Sequence, residues 1–436
     1  MNDGLKLKKA TYHLWTFTIS KLISSFGAQV YSFAISFYIL QATGSATSFA
    51  ANLICNILPR TLAAPFAGYL ADQYSRKLIV VLSQVATTIA VGGLLLVSFI
   101  TDLSLTAIYI TSCILSITSM FSGVTFTSSV SGLVDEARVQ RAMSLNQMSI
   151  SFAAIASPAV GGLLYGAVSM QTFLIMYMIA SCLAVVLEST MDFTLFANRK
   201  EKEIAGQKES MWVSIKAGII YLKLQPILVT IVWISLLINF LFGAFEVGYS
   251  FILIEKMKMV SQRFGFTQGA FAVGMLLLSI YFSIRKEVRY PLLVSKWAIV
   301  GMGCVMAAVS FPLLVGLTST SVFVFYLVIM FGLGALIIIV NTPLQVMLQK
   351  KIEDDFKGRI FSLLETMAMA LMPLGMVLYG FLYDLFPAQW ILLLSASLFI
   401  GVVLVLARPS VIRKAHPEIA EPNAEKGRNV PTTVRM

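Results

Sequence analysis

Apolar stretches of about 20 residues recur along the whole chain, and each is long enough to cross the hydrocarbon core of a bilayer as one helix. Hydrophobic residues make up 58% of the sequence and charged residues only 12%. No single water-soluble core could bury that much apolar surface. We therefore predict an all-α membrane protein with twelve transmembrane helices, which start near residues 14, 47, 78, 105, 142, 169, 227, 264, 292, 320, 360 and 390.

The distribution of Lys and Arg predicts how these helices are oriented. Lys6, Lys8 and Lys9 precede the first span, and basic residues recur in the connections that follow even-numbered spans. Because cytoplasmic connections of membrane proteins are enriched in Lys and Arg, we expect a multi-pass protein of the cell (plasma) membrane with both termini in the cytoplasm. The connection with Lys256 and Lys258 is an exception to the pattern. The same bias explains the formal net charge of +11 without a nucleic acid partner.

A polar stretch in the middle of the chain separates two halves of six spans each. In chain order we predict an N-terminal six-helix bundle, a cytoplasmic linker with an interfacial helix, a C-terminal six-helix bundle and a disordered cytoplasmic tail, at residues 1–195, 196–225, 226–408 and 409–436. An extension of span 7 is the alternative to the interfacial helix. The halves also echo each other, since Leu-Tyr-Gly follows a proline both at Leu164 and at Leu378. Two parallel six-helix halves are typical of transporters whose substrate site lies between them.

The connection between spans 2 and 3, from Gly68 to Lys77, carries an acid and a basic pair within a short stretch. This stretch resembles the signature loop between helices 2 and 3 of the major facilitator superfamily. The matching positions are Gly68, Leu70, Asp72, Arg76 and Lys77. Gln73 stands where the family usually has arginine, and Ser75 stands where it usually has glycine.

The runs from Leu58 to Arg60 and from Asp135 to Arg141 resemble those of the macrolide-exporter and siderophore-exporter branch of this superfamily. The resemblance implies a fold of two pseudo-symmetric six-helix bundles and a secondary active transporter that works by alternating access. It further implies the export of drug-like or amphiphilic small molecules in exchange for protons. A lysolipid or siderophore transporter and a proton-coupled uptake symporter are the alternatives.

The sequence also argues against other classes of protein. An integral membrane enzyme needs clustered His, Asp or Cys, whereas the four cysteines lie singly in different spans. The sequence contains no Walker motif for nucleotide binding. We therefore expect no enzymatic activity, no cofactor and no bound metal. The resemblance implies a monomer whose partners are its small-molecule substrate, protons and the lipid bilayer.

Charged residues at the cytoplasmic ends of the helices are candidates for a gate. The resemblance implies that Asp72 binds the exposed N-terminus of helix 11, where a negative charge is stabilised. Arg76 is expected to pair with Asp135 or Glu136 at the end of span 4. Two further candidates for the gate are the arginines at the starts of spans 5 and 11, Arg141 and Arg359. The alternative is that these charges only fix the topology.

Few ionisable residues fall inside the predicted spans, and those that do are candidates for proton coupling. Arg60 lies about 18 Å from the inner edge of the membrane, near the midplane. Its alternative role is to hold helices together through hydrogen bonds. Glu365 and Glu246 are the acidic candidates, because desolvation lets a carboxylate carry a proton near neutral pH.

Three further charged residues are interpreted as charges of the inner membrane surface. Glu188 and Asp192 lie at the inner end of span 6, and Lys21 lies early in span 1. A lysine in such a position can extend its side chain to the interface. We therefore expect Glu188 and Asp192 to be interface charges, whereas packing or topology accounts for Lys21 as readily as a function does.

Substrate-binding candidates come from the helices that line the central cavity in this superfamily, which are helices 1, 4, 7 and 10. Aromatic, Met and amide side chains in their midregions suit a large apolar cargo. These candidates are Gln29, Tyr31, Met120, Phe121, Asn239, Phe242, Phe245, Met330 and Phe331. For each of them, ordinary packing or lipid contact is the alternative.

A substitution at Asp72 tests the expected gate. We expect Asp72→Asn to lower substrate transport, because the neutral amide weakens the interaction with the N-terminus of helix 11. The measurement is the transport rate at equal abundance of the two proteins in the membrane. Undiminished transport would reject a gating role for this residue.

Overall fold

The computed structural model describes residues 3–101, 103–196, 220, 224–285, 287–352, 360, 364 and 366–415. Its long helices, numbered in chain order, are α1 (Asp3–Thr43), α2 (Ala46–Gln73), α3 (Arg76–Ile100), α4 (Leu105–Leu133), α5 (Glu136–Ala167), α6 (Met170–Ser189), α7 (Pro226–Phe251), α8 (Ser261–Ile284), α9 (Pro291–Ala308), α10 (Ser319–Lys351), α11 (Met372–Leu385) and α12 (Ala388–Leu406). A π-helical turn at Ile252–Lys256 continues α7, and a short helix, α13 (Pro409–Ala415), follows α12. Nearly all of the expected linker and most of the expected tail lie outside the described residues.

The starts of the helices follow the local sequence. Ser45, Ser104, Ser169 and Thr318 precede α2, α4, α6 and α10, and each side-chain oxygen accepts a hydrogen bond from a backbone N–H of the first turn. Proline opens α7 and α9, where the missing N–H has no intrahelical partner to lose. Most predicted starts lie close to the observed ones, whereas α1 begins much earlier, at Asp3.

Eleven helices in the described part of the chain are long and apolar enough to cross a membrane. The other long helix, α2, has 28 residues but carries Asn52, Asn56 and Arg60, which lower its hydropathy. It packs against α4 among the spanning helices and completes the set of twelve. Helices suit a bilayer because each satisfies its backbone hydrogen bonds internally. The prediction of an all-α membrane protein is confirmed.

The two ends of the helix bundle differ in charge. The end at which α1 begins carries Arg76 and Lys77 at the start of α3, Arg138 and Arg141 in α5, and Lys350 at the end of α10. We call this end the basic face. The other end, where α1 ends and α2 begins, is called the opposite face.

The helix contacts repeat between the two halves of the chain. In the first half α1 packs against α5 and α6, α2 against α4, and α3 against α4 and α6. In the second half α7 packs against α11 and α12, α8 against α10, and α9 against α10 and α12. Adding six to each helix number converts the first set into the second. The described helices therefore form two pseudo-symmetric bundles.

Two crossings join the halves, α2 with α11 and α5 with α8, and the same shift of six exchanges one crossing for the other. A methyl group on Gly162 of α5 would collide with the carbonyl oxygen of Ser261. One on Gly265 of α8 would collide with the carbonyl oxygen of Pro158. The Ser261 hydroxyl donates to the carbonyl of Gly162 over 2.9 Å. Small residues allow backbones to approach this closely in membranes.

The second crossing is also close. A Cβ added to Gly380 of α11 would lie 2.9 Å from the Cβ of Ala50 and 3.1 Å from the Cα of Thr47 in α2. Both crossings lie toward the opposite face, since they involve the ends of α5 and α11 and the starts of α2 and α8. The halves are therefore in backbone contact at that face.

Substitution of Gly265 tests how far this contact depends on glycine. We expect Gly265→Ala to separate α5 from α8, because its methyl group has no room beside the Pro158 carbonyl. The measurement is alkylation of a cysteine placed at buried Ser261, by a membrane-impermeant maleimide and without the native cysteines. The matched control is Gly269→Ala on the same helix, where an added Cβ lies 4.0 Å from its nearest neighbour. Equal alkylation rates in both variants would contradict the interpretation.

Candidate transport pathway between the two halves

A carboxylate from one half caps a helix of the other at the opposite face. Asp384 Oδ1, at the end of α11, accepts from the backbone N–H of Ala46 over 2.7 Å. Its Oδ2 accepts from the N–H of Thr47 over 3.0 Å and from the Ser45 hydroxyl over 2.8 Å. The first amides of a helix have no intrahelical acceptor, and a negative charge at that end is stabilised by the helix dipole. Asp384 therefore fastens α11 to the start of α2.

An aromatic cluster fills the space between the halves behind this contact. Phe264 of α8 packs against Phe33 and Phe37 of α1, with ring centroids 5.5 Å and 5.9 Å apart. Tyr249 of α7 stacks on the Phe264 ring, with centroids 5.7 Å apart. Tyr165 of α5 packs against Phe37 at 4.9 Å. Helices of both halves thus meet in one apolar layer. The pathway is closed toward the opposite face.

Arg60 lies on the interior side of α2. Leu58 and Leu62, both large and exposed, mark the side of the helix that faces lipid. Arg60 is two positions from each, which on a helix of 3.6 residues per turn places it on the other side. Arg60 is nevertheless exposed. Its exposed side chain therefore lies on the side of α2 opposite to Leu58 and Leu62.

Each half also encloses a cavity of its own, and the two cavities occupy equivalent places. In the first half the cavity lies between α1, α3, α4 and α6 and has a volume of about 70 Å³. In the second half it lies between α7, α9, α10 and α12 and has a volume of about 200 Å³. Isoleucine and other apolar side chains dominate the wall of the second cavity. Its polar lining consists of Ser235, Asn239, Ser295, Lys296 and Asn341.

The structure places the substrate-binding candidates in different environments. Asn239 and Phe242 line the cavity of the second half, and Phe245 stacks on Phe242 with centroids 5.1 Å apart. Gln29 is exposed on α1. Tyr31 is buried and stacks on Tyr177 of α6 at 5.2 Å, so its contact lies within the first half.

The remaining candidates are less closely associated with an enclosed cavity. Met120 and Phe121 are half-buried in α4, and Met330 is buried in α10. Phe331 lines an apolar crevice between α5, α8 and α10. The described residues therefore do not bring all nine candidates into one site.

Glu246 lies in α7 toward the opposite face and is half-buried. The spacing of Ser235, Asn239, Phe242 and Glu246 places them on one side of the helix. Three of them line the cavity of the second half, and Glu246 continues that side outward by one turn. No ion pair of Glu246 occurs within the described residues.

The expected gate is only partly within the described residues. Asp135 binds Arg138 one turn further along α5, and no ion pair between Arg76 and Asp135 occurs within the described residues, whereas the alternative partner, Glu136, has its side chain outside them. A partner at i+3 on the same helix is within reach of this carboxylate without movement of α3. Arg76 is half-buried and Lys77 exposed, Leu70 is half-buried, and Arg141 lies over the Trp15 ring at 5.9 Å. Arg359 and Glu365 lie outside the described residues, as do the side chains of Asp72 and Glu136, whereas Gly68 lies within α2.

Two residues of functional interest were missed by the reasoning from sequence. Asp384 was not among the candidates, although the Ser45 N-cap at the start of α2 was a usable signal. Glu188 was interpreted as a charge of the membrane surface, and this is wrong, since its side chain is fully buried and accepts from Ser20 over 2.8 Å. Asp192 is exposed as expected, and hydrogen bonds from Thr194 lower the pKa of its carboxyl.

A substitution at Asp384 tests the cap. We expect Asp384→Asn to accelerate hydrogen exchange at the amides of Ala46 and Thr47 by at least about tenfold, because a hydrogen bond to a charged group contributes about 1.5 to 3 kcal/mol. Hydrogen-exchange mass spectrometry of the protein in lipid nanodiscs measures this rate. Asp192→Asn, which neutralises an exposed carboxylate elsewhere, is the control. Unchanged exchange at the start of α2 would show that Asp384 does not protect it.

A family model described as Major Facilitator Superfamily (MFS) matches residues 17–373. The chain is 26% identical over 401 residues to the MFS-type transporter YfiS of Bacillus subtilis, which covers 90% of this chain and 91% of that protein. It is 23% identical to macrolide efflux protein A of Streptococcus pyogenes, over 92% of this chain and 96% of that protein.

Two solved structures have a similar fold. Nucleoside transporter NupG gives a TM-score of 0.65 at 14% identity, over 91% of this chain and 98% of that chain. A bacterial homologue of the iron transporter ferroportin, in an inward-facing state, gives a TM-score of 0.62 at 14% identity, again over 91% and 98%. With a family model that matches most of its length and two pseudo-symmetric six-helix bundles, the chain belongs to the Major Facilitator Superfamily and is a transporter.

Proposed function

We propose that this transporter exports drug-like or amphiphilic small molecules from the cell in exchange for protons. The observation that carries the proposal is the similarity to macrolide efflux protein A, which extends over more than nine-tenths of both chains. On the positive-inside rule the basic face is cytoplasmic and the protein lies in the plasma membrane. Both termini are then cytoplasmic.

Alternating access is supported by the way the halves touch. They meet through α2 with α11 and α5 with α8, and the pseudo-symmetry exchanges these two crossings. In the described conformation the halves touch at both crossings. The molecule is therefore closed at the opposite face, where Asp384 and the glycines lie. A rocking motion about the crossings would open that face and bring the basic-face ends together. This conformation then admits substrate from the cytoplasm.

The lining of the pathway supports an amphiphilic substrate. Arg60 and Gln29 are exposed residues of the first half, and Asn239 and Phe242 belong to a largely apolar wall in the second half. Apolar surface with a few placed amides is the usual composition of a site for such ligands. We assign these four residues to substrate contact.

Lys296 favours a second candidate substrate. It is buried in α9 and lines the apolar cavity of the second half, and no ion pair of Lys296 is found in the described part of the chain. An ammonium group in such a place suits an amphiphile with an anionic head, such as a lysolipid. A cationic drug would be disfavoured at this one position.

Proton exchange needs a carboxylate that is shielded from water in part of the cycle. Glu246 meets this condition, since it is half-buried on the side of α7 that lines the cavity of the second half. We propose that Glu246 gains a proton when the opposite face opens. Substrate and proton then compete for neighbouring parts of α7.

Drug accumulation in cells tests the proposed export. In bacteria that lack other efflux systems, we expect the protein to lower intracellular radiolabelled erythromycin severalfold, and collapse of the proton gradient should abolish the difference. Cells with the Glu246→Gln variant should accumulate as much erythromycin as cells without the protein, because the amide cannot exchange a proton. Glu287→Gln, which alters an exposed residue bound to Lys350, should behave like the wild type. Equal accumulation with and without the protein, for erythromycin and for a lysolipid, would contradict the proposal.

A further inference from the structure

The end of α6 carries a carboxyl group that is entirely shielded from solvent. The Glu188 side chain is 0% exposed. Its Oε1 accepts from the hydroxyl of Ser20 in α1 over 2.8 Å. Its Oε2 is buried and has no hydrogen-bond partner among the described residues. One carboxyl oxygen thus has a hydrogen-bond donor, and the other has none among the described residues.

This asymmetry distinguishes the two protonation states. An ionised carboxylate shares its charge between both oxygens, and a buried charged atom without a partner is strongly destabilised. A neutral carboxyl group carries its proton on one oxygen and leaves the other to accept. The Ser20 hydroxyl already occupies Oε1 as a donor, so the proton belongs on Oε2. The described conformation therefore fits a protonated Glu188.

The positive charge nearest to Glu188 is held apart from it. Lys21 follows Ser20 in α1 and interacts electrostatically with Glu188, yet the two side chains form no ion pair. The Lys21 Nζ instead lies 5.7 Å from the centroid of the Phe126 ring in α4, a position in which the ring stabilises a cation. The Lys21 ammonium thus contacts the ring and not the carboxyl group.

Lys21 also lines the cavity of the first half, which is polar. The Gln84 amide donates to the Ser181 hydroxyl over 2.8 Å, and the hydroxyls of Thr87 and Thr118 are 2.8 Å apart. Both pairs line that cavity with Lys21. Hydroxyl and amide groups of this kind can relay a proton or hold the water that does. A polar route therefore lies beside Lys21 in an otherwise apolar bundle.

The other charged groups near this end of α6 are engaged elsewhere or lie further toward the basic face. His13 of α1 is buried and interacts electrostatically with Asp192 and with Lys77 of α3. The arginines of α5 have their own partners: Arg138 binds Asp135 and Arg141 lies over the Trp15 ring. Lys21 is thus the cation positioned to respond to the charge of Glu188.

We propose that Glu188 and Lys21 form a proton-binding site in the N-terminal half. Glu188 holds the proton on Oε2 in the conformation closed at the opposite face. The O–H bond then breaks, the proton passes to water at the basic face, and the Lys21 ammonium leaves the Phe126 ring to pair with the carboxylate. This inference rests on the proposed proton-coupled export and adds to Glu246 a second coupling residue, in the other half.

Infrared difference spectroscopy on the purified protein in lipid vesicles tests proton binding directly. We expect a carbonyl-stretch band of a buried, protonated carboxyl group that disappears at high pH. Glu188→Gln should lack this band and keep the hydrogen bond from Ser20. Asp192→Asn, a change to an exposed carboxylate three positions after α6 ends, should retain it. A band of unchanged intensity in Glu188→Gln would overturn the proposal.

Transport by the same vesicles tests coupling, with radiolabelled erythromycin as the probe. We expect Glu188→Gln to lose at least about tenfold in accumulation driven by a pH gradient and to keep erythromycin exchange without a gradient. Lys21→Met should keep the infrared band and also lose accumulation, because no cation stabilises the carboxylate. Gradient-driven accumulation equal to wild type in both variants would overturn the proposal. A wild-type protein with the Glu188 band but without gradient dependence would support the proton site and contradict the proposed exchange.

Discussion

Backbone contact between the two halves at the opposite face is the interaction on which the rest of this structure depends. Lipid chains are as apolar as the helix surfaces, so the hydrophobic effect does little to hold one membrane helix against another. Close packing and hydrogen bonds must do so instead. Gly162 and Gly265 allow α5 and α8 to touch, Gly380 allows α11 to approach α2, and Asp384 adds charge-assisted hydrogen bonds to the same place.

The buried charges follow from a second constraint, since an ionised group within a membrane is strongly destabilised unless it is paired, hydrated or neutralised. The described residues use several of these solutions. Arg60 is exposed, Lys21 lies over an aromatic ring, and Glu188 is buried beside a hydroxyl in a way that fits the neutral acid. A change in the surroundings of such a group changes its free energy of protonation, which is the physical basis of coupling.

Hydropathy and repeated motifs predicted the helices because span length and apolar composition are properties of each segment alone. The Leu-Tyr-Gly echo likewise predicted the duplication, and it places Gly380 of the α2–α11 crossing in its last position. The sites were harder to predict. Both lipid and protein interior are apolar, so a hydrophobic pattern does not state which side of a spanning helix faces a partner. Asp384 and Ala46 are separated by most of the chain, and the burial of Glu188 depends on how α6 is rotated against α1.

The central claim is that two pseudo-equivalent halves rock about the crossings so that one face closes as the other opens. Spin-label distance measurements test it most directly, with the four native cysteines replaced and label pairs at exposed Ala42 with Leu385 on the opposite face and Gln140 with Ile284 on the basic face. A change of pH or addition of erythromycin should lengthen the distance at the opposite face and shorten it at the basic face in the same fraction of molecules. Distances at both faces that stay fixed, or that lengthen together, would contradict the account.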